Sequence, residues 1–140
     1  MSEDVRIDHV GIATADLDMA SGFWELVGMS QVVEDTIVED QGVKVRYMGT
    51  TEDADAARIE LLEPTSDDTP VGRFLARRGA GVQQVCLRVE NLAVTLELLR
   101  ANGVRLIDEE PRAGMHGSLI AFVHPSSTGG VLVELTQRCP

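Results

Sequence analysis

The chain has 140 residues, the length of one ordinary domain that can bury its own core. Its 12 basic and 23 acidic residues give a net charge of −11 at pH 7. This balance argues against binding to nucleic acid or anionic membranes, because their phosphates must be neutralised by lysine and arginine. The two cysteines, Cys86 and Cys139, have neither a disulfide nor a zinc-site spacing, so we expect both to be reduced.

The first part of the chain predicts a strand, a helix and three further strands. Residues 5–13 are rich in valine and isoleucine, and Asp16 is placed to cap a helix whose apolar residues recur at helical spacing up to Gly28. The later strands are predicted over residues 30–38, 43–48 and 57–62. Between them lie the turn-prone residues 39–42 and an acidic loop over residues 51–56.

A short linker helix precedes a second set of elements with the same plan. Thr69 is placed to cap this helix, with Pro70 at its first position and Gly79 just past its end. The second set comprises a strand over 82–89, a helix over 91–101, and strands near 104–108, over 118–124 and over 131–136. Loops over 111–117 and 126–130 join the last three strands.

The two sets of elements are copies of each other. The aligned pairs are His9 and Gln84, Asp16 and Asn91, and Gly28 and Gly103, all at an offset of 75, and Glu60 and Glu134 at an offset of 74. We therefore predict one domain over residues 1–140, with a first module over 5–64, a linker helix over 65–81 and a second module over 82–137. The predicted fold class is α+β, with two tandem βαβββ modules that pair into a curved, cup-shaped mixed sheet with the helices outside.

Four polar residues occupy equivalent places in the two copies. His9 and Gln84 lie in the middle of each first strand, and Glu60 and Glu134 in the middle of each last strand, all among apolar neighbours. A charge buried in such surroundings is costly unless it is paired or bound to a metal. Taken singly, the histidine could be a hydrogen-bonded core residue and either glutamate could lie on an exposed strand face.

Together, the four residues would supply one imidazole nitrogen, one amide oxygen and two carboxylates. This set suits an octahedral divalent metal ion with open water positions, such as Mg, Mn, Co, Ni or Fe(II), better than a closed tetrahedral Zn site. We therefore predict that His9, Glu60, Gln84 and Glu134 bind a divalent metal ion whose identity the sequence leaves open.

The chain resembles the vicinal oxygen chelate superfamily, which includes glyoxalase I and the extradiol dioxygenases, and within it the methylmalonyl-CoA epimerase family. The motifs that carry the resemblance are IDHVGIAT (7–14), QGV (41–43), IELLEP (59–64), FLARRGAGVQQVCLRVENL (74–92), GVRLIDEEPRAGMHG (103–117), IAFVHP (120–125) and GGVLVEL (129–135). The last three motifs are specific to the epimerase branch, whereas the strand motifs alone indicate only the superfamily.

The resemblance implies an isomerase that inverts the α-carbon of a 2-substituted malonyl-CoA thioester through a metal-stabilised enolate. It implies Glu134 as a catalytic base as well as a metal ligand. It also places His116 in a loop that contacts the substrate, and Arg112 beside that loop. We expect an acyl-CoA substrate and a homodimer, with neither nucleic acid nor membrane as a partner. The acidic start of the chain, MSEDVRID, has no apolar stretch, so we expect a cytoplasmic protein.

Two departures from the family pattern leave alternatives open. The family usually has two histidines where this chain has Gln83 and Gln84, and many epimerases have a glutamate base at the position of Val45. Tyr47 lies two residues further along the same strand, on the same face. It could contact the substrate or act as a proton donor, and the alternative is a buried tyrosine with a purely structural role. The alternatives are another metal enzyme of this fold, such as a glyoxalase-like lyase or a tailoring enzyme of secondary metabolism, or a metal-free small-molecule binding or resistance protein.

Overall fold

The computed structural model describes residues 4–50, 53 and 55–138. The predicted acidic loop over residues 51–56 lies partly outside the described residues, and Cys139 lies wholly outside them. Cys86 is buried and takes part in no disulfide among the described residues. None of the helices in the described part of the chain has the length and apolar character needed to cross a membrane.

Three α-helices and nine strands form the regular structure of the described chain. The helices are α1 (Leu17–Leu26), α2 (Pro70–Arg78) and α3 (Leu92–Ala101). The strands are β1 (Arg6–Ala13), β2 (Ser30–Gln31), β3 (Thr36–Val38), β4 (Val43–Gly49), β5 (Arg58–Pro64), β6 (Gly81–Arg88), β7 (Arg112–Ala113), β8 (Leu119–Val123) and β9 (Leu132–Gln137).

The described chain divides into two compact units. We call residues 9–83 the first unit, and residues 4–8 with 84–138 the second unit. In the first unit β1 pairs parallel with β5, β5 pairs antiparallel with β4, and β4 pairs antiparallel with both β2 and β3. In the second unit β6 pairs parallel with β9, β9 pairs antiparallel with β8, and β8 with β7. Both units therefore show the same strand plan.

The caps predicted for α1 and α2 are confirmed, and Asn91 caps α3 in the same way. The Asp16 and Asn91 side chains accept hydrogen bonds from the backbone N–H groups three residues on, at 3.1 and 3.2 Å. The Thr69 hydroxyl accepts one from the N–H of Gly72 at 3.0 Å. Each cap satisfies a backbone donor that has no partner within the first turn of its helix.

In each unit, one face of the sheet is apolar and is covered by a helix. In the first unit Leu17 of α1 packs with Met48 and Leu61, which are fully buried. In the second unit Leu92 and Leu96 of α3 pack with a cluster from β8 and β9. Because successive strand residues point to opposite faces, the residues between these apolar positions face away from α1 and α3.

Two strand predictions are wrong in detail. Residues 104–108 do not form a strand and make a single bridge between Leu106 and Val123, because Ile107 and Asp108 both donate their N–H groups to the carbonyl of Phe122. This shared acceptor interrupts the alternation that a regular ladder needs. The predicted loop over 111–117 instead contains β7. The predicted strand over residues 30–38 is divided into β2 and β3, which pair with different parts of β4.

Candidate functional site

The first unit brings together two of the four predicted ligands. His9 of β1 and Glu60 of β5 lie on the same face of the sheet, since Gly11 is the register partner of Glu60 on the parallel strand. Nδ1 of His9 is 3.1 Å from Oε2 of Glu60, and the two residues are each 7% exposed. Arg58 also contacts Oε2 of Glu60, through Nη2 at 3.1 Å. The Glu60 carboxylate is thus buried between an imidazole and a guanidinium.

The second unit contains the equivalent pair. Gln84 of β6 and Glu134 of β9 lie on one face, with Cys86 as the register partner of Glu134. Nε2 of Gln84 donates to Oε1 of Glu134 at 3.2 Å, and the two residues are 6% and 7% exposed. Both pairs therefore lie on the sheet face opposite the apolar clusters of α1 and α3.

The potential donor atoms of His9 and Glu60 have the spacing of adjacent metal ligands. Two ligands at right angles on an octahedral ion, each about 2.1 Å from it, are about 3.0 Å apart. Nδ1 of His9 and Oε2 of Glu60 are 3.1 Å apart. In the Gln84 conformation described, Nε2 faces Glu134, whereas an ion would be bound by the amide oxygen. The residues thus fit a hard divalent cation, and binding of one ion by all four remains a prediction of the repeat.

Tyr47 and Val45 lie on the same sheet face as Glu60. Tyr47 is the register partner of Glu60 on β4, and its half-buried ring stands beside that carboxylate. Val45 is 3% exposed and packs in an apolar cluster with Ala13 and Leu62. The position at which many epimerases have a glutamate is therefore part of the core in this chain.

Arg112 and His116, the other predicted substrate contacts, lie in the second unit. The Arg112 guanidinium carbon is 5.5 Å from the centre of the Phe122 ring, and Nε of Arg112 is 3.4 Å from Oδ1 of Asp108. Asp108 is held in turn by the N–H of Phe122, which donates to Oδ2 at 2.8 Å. Phe122 is the register partner of Glu134, so Arg112 stacks on the ring next to that carboxylate.

His116 has a left-handed backbone conformation with a φ of 56°. It is the one residue other than glycine with a positive φ in the described part of the chain. Such a conformation costs about 1 to 3 kcal/mol for a residue with a side chain and is commonest at functional sites. The exposed loop of residues 115–117 is thus held in an unfavourable conformation at the residue predicted to meet the substrate.

Sequence reasoning missed three residues that contact this site. They are Arg58, Asp108 and Phe122. Phe122 could have been found, because it aligns with Tyr47 at the repeat offset of 75 and both rings stand opposite a predicted ligand. Arg58 and Asp108 have no counterpart in the repeat that would have marked them. Arg58 also lines a cavity of about 600 Å³ in the first unit, together with residues of β2 and the end of β4.

A family model and known proteins were found to be similar to most of this chain. A family model described as the Glyoxalase/Bleomycin resistance protein/Dioxygenase superfamily matches residues 8–122. The mitochondrial methylmalonyl-CoA epimerase of Bos taurus is 37% identical over 135 residues, which cover 94% of this chain and 74% of that protein.

Two solved structures are similar over most of their length. The crystal structure of methylmalonyl-CoA epimerase from Mycobacterium tuberculosis is 40% identical, with a TM-score of 0.85, over 96% of this chain and 88% of that one. A methylmalonyl-CoA epimerase in complex with methylmalonyl-CoA and ammonium is 37% identical, with a TM-score of 0.85, over 96% of this chain and 95% of that one. These likenesses confirm the predicted α+β fold class. The family model and the relatives span most of the chain, and the chain therefore belongs to the glyoxalase/bleomycin resistance protein/dioxygenase superfamily, also called the vicinal oxygen chelate superfamily.

Proposed function

We propose that this chain epimerises a 2-substituted malonyl-CoA thioester, with 2-methylmalonyl-CoA as its substrate, at a site that holds a divalent metal ion. The enzyme is an isomerase, and relatives with 32 to 40% identity over nearly the whole chain are epimerases by name. The names of these relatives do not establish the metal ion or the acyl group for this chain, and both parts of the proposal need a test.

The observation that carries the proposal is the pair of buried polar contacts. Each unit buries a carboxylate beside an imidazole or amide, on the sheet face opposite α1 in the first unit and opposite α3 in the second, at 3.1 Å for His9 and Glu60 and 3.2 Å for Gln84 and Glu134. A protein that binds a small apolar molecule has no need of two buried, repeat-related carboxylates. A metal enzyme does need them, because they lower the cost of holding a doubly charged ion away from water.

Epimerisation requires that the substrate α-carbon loses a proton and regains one on its opposite face. The Glu134 carboxylate is the proposed base. As the C–H bond breaks and an O–H bond forms on Glu134, the electron pair moves into the thioester carbonyl and gives an enolate. A divalent ion held by His9, Glu60, Gln84 and Glu134 would stabilise this negative charge. The buried position of Glu134 keeps competing water away from the transferred proton.

Many epimerases have a second glutamate that acts on the opposite face, but this chain has Val45 at that position. Valine has no group that takes up or releases a proton, so another group must return the proton. Tyr47 stands beside Glu60 on the same face and carries a phenol that can donate to the substrate. We propose that Tyr47, Arg112 and His116 contact the substrate. The Arg112 side chain is 45% exposed, and it can therefore meet an anionic group that approaches from solvent.

Proton NMR of methylmalonyl-CoA in deuterated water tests the proposed function. The protein is assayed with cobalt, nickel, manganese and magnesium separately, against a sample kept in chelator. We expect metal-dependent loss of the α-proton signal, and an assay with the 2-ethyl analogue defines the acyl range. No exchange with any metal would contradict the epimerase and favour another member of the fold. The expected homodimer and cytoplasmic location stay predictions, which sedimentation and cell fractionation can check.

A further inference from the structure

Arg58 occupies a position that the proposed reaction does not use. It lies on β5 two residues before Glu60, so that both side chains are on the same face of the sheet. Nη2 of Arg58 donates to Oε2 of Glu60 at 3.1 Å, and the guanidinium carbon is 5.2 Å from the centre of the Tyr47 ring. The guanidinium is therefore fixed between the predicted metal ligand and the aromatic ring that stands opposite it.

The surroundings of Arg58 indicate that its guanidinium serves as the ion-pair partner of Glu60 and does not bind an anionic group of the substrate. The Arg58 side chain is 26% exposed and that of Glu60 is 9% exposed, so the pair lies where water screens charge poorly. A buried carboxylate without a counter-charge is costly, and a guanidinium supplies both the charge and a directed hydrogen bond. At the equivalent position of the second module, two residues before Glu134, the chain has Leu132. The second module therefore has no arginine at the position equivalent to Arg58.

We propose that Arg58 is a positioning residue that acts as the internal counter-ion of Glu60 and shares this carboxylate with the divalent ion. The inference rests on the metal site of the proposed function. Without the ion, Arg58 neutralises Glu60 and keeps its carboxylate oriented beside His9. With the ion bound, the positive charge of Arg58 lies close to a second cation and weakens the hold of the site on that cation. Arg58 therefore lowers the affinity of the site for the metal ion, and it keeps the Glu60 carboxylate ordered when the ion is absent.

The test uses the full chain, stripped with chelator, and Mn²⁺ alone as the probe. Free Mn²⁺ is followed by electron paramagnetic resonance in the wild type, Arg58→Met and Arg58→Lys. We expect Arg58→Met to bind Mn²⁺ about tenfold more tightly than the wild type, because a neighbouring positive charge is gone. We expect its melting temperature in chelator to fall by several degrees, roughly 3 to 6 °C, because Glu60 has lost its counter-ion. Arg58→Lys keeps the charge and should restore both values to near those of the wild type.

Arg73→Met is the matched control. Arg73 is an arginine of the same unit that pairs with an acid at 3.3 Å, yet its side chain is 56% exposed. Its replacement should change neither the Mn²⁺ affinity nor the melting temperature. General damage to the fold would lower stability and metal affinity together, whereas the counter-ion role requires these two quantities to move in opposite directions.

Two results overturn the inference and are distinguishable from failure of the proposed function. Unchanged or weaker Mn²⁺ binding by Arg58→Met refutes the counter-ion role while leaving the metal site intact. A raised KM for the thioester with unchanged Mn²⁺ affinity makes Arg58 a substrate contact and also refutes it. A wild type that binds no Mn²⁺ at all refutes the metal site itself, which is the failure of the proposed function.

Discussion

Glu134 is the residue on which the proposed proton transfer depends. Its carboxylate is 7% exposed and accepts a hydrogen bond from Gln84, so replacement by glutamine preserves size while removing the ability to take up a proton. A general base contributes about 10²- to 10⁴-fold to a rate. We therefore expect Glu134→Gln to slow α-proton exchange at least about 100-fold, as measured by NMR in deuterated water.

The control for this substitution is Glu97→Gln, which removes an exposed carboxylate on α3 of the same unit. It should exchange the α-proton at the wild-type rate. Exchange at an undiminished rate by a folded, metal-loaded Glu134→Gln would show that another group is the base.

The candidate site could be predicted from the sequence to the extent that the repeat determines it. The repeat pairs His9 with Gln84 and Glu60 with Glu134, and the structure places the two predicted ligands of each unit within hydrogen-bonding distance. Arg58 was not predictable in this way. Its role depends on a cross-strand ring and a carboxylate two residues away, and an arginine at a strand end is more often solvated.

At the level of elements, Gly42 and Gly22 differ in whether their surroundings leave room for a side chain. Gly42 follows the 3-10 turn of residues 39–41 with a φ of 66°, and a Cβ added there would lie 2.4 Å from Cγ2 of Thr69, the cap of α2. Gly22 lies within α1, and a Cβ there would have nothing within 4 Å. Gly42 is therefore required by its turn, whereas Gly22 only weakens its helix.

We expect the two alanine substitutions to change stability in opposite directions. Gly42→Ala should lower the free energy of unfolding by more than about 1 kcal/mol, because strain and a clash add together. Gly22→Ala should raise it by about 0.5 to 1 kcal/mol through helix propensity alone. Urea denaturation of both variants checks this, and a loss of stability in Gly22→Ala would contradict the packing described for α1.

A salt bridge connects β4 with the segment before β3. Nε and Nη2 of Arg46 donate to the two carboxylate oxygens of Asp35 at 2.9 and 2.8 Å, and the same guanidinium reaches Asp18 of α1 at 2.9 Å. The hydrogen bond from Arg46 lowers the pKa of Asp35 below its ordinary value of 3.8. The raised pKa of Arg46 has the same cause.

The depressed pKa of Asp35 makes the stability of the protein depend on pH in a defined range. The stabilisation from this pair is fully present above about pH 4, the range of the unfolded carboxyl group, and is lost as pH falls through the lower folded pKa. Asp35→Asn should thus destabilise the protein at pH 7 and cost less at pH 3. Urea unfolding at both pH values measures this, with Asp40→Asn, an exposed carboxyl, as the control. An equal cost at both pH values would contradict it.

The helices were predictable because their signals are local. Asp16 and Thr69 cap the helices that their positions predict, Asn91 caps α3, and each acts within three residues of the chain. The strand expected near residues 104–108 was not predictable, since a strand exists only if its partner offers a ladder of donors and acceptors. Here the carbonyl of Phe122 accepts two consecutive N–H groups, and the Asp108 side chain takes the N–H of Phe122.

For the whole molecule, the central question is whether the two halves of the repeat serve one metal ion or two. Each unit buries one pair of donors, and a pair that supplies one atom from each residue leaves four positions of an octahedral ion to water or substrate. Two protein ligands are too few to retain such an ion firmly, because it keeps most of its hydration. We therefore expect both pairs to be needed for one ion.

This expectation predicts the stoichiometry and its response to mutation. Equilibrium dialysis of the wild type against Mn²⁺ should give one ion per chain. His9→Ala removes a ligand from the first unit only, yet it should weaken all Mn²⁺ binding at least about tenfold, since metal affinity depends on the complete ligand set. His124→Ala is the control, because Nδ1 of His124 accepts the N–H of Ser126 and serves only its local turn. Two ions per chain, or wild-type binding retained by His9→Ala, would mean that the second pair binds an ion by itself, and the repeat would then describe two independent sites.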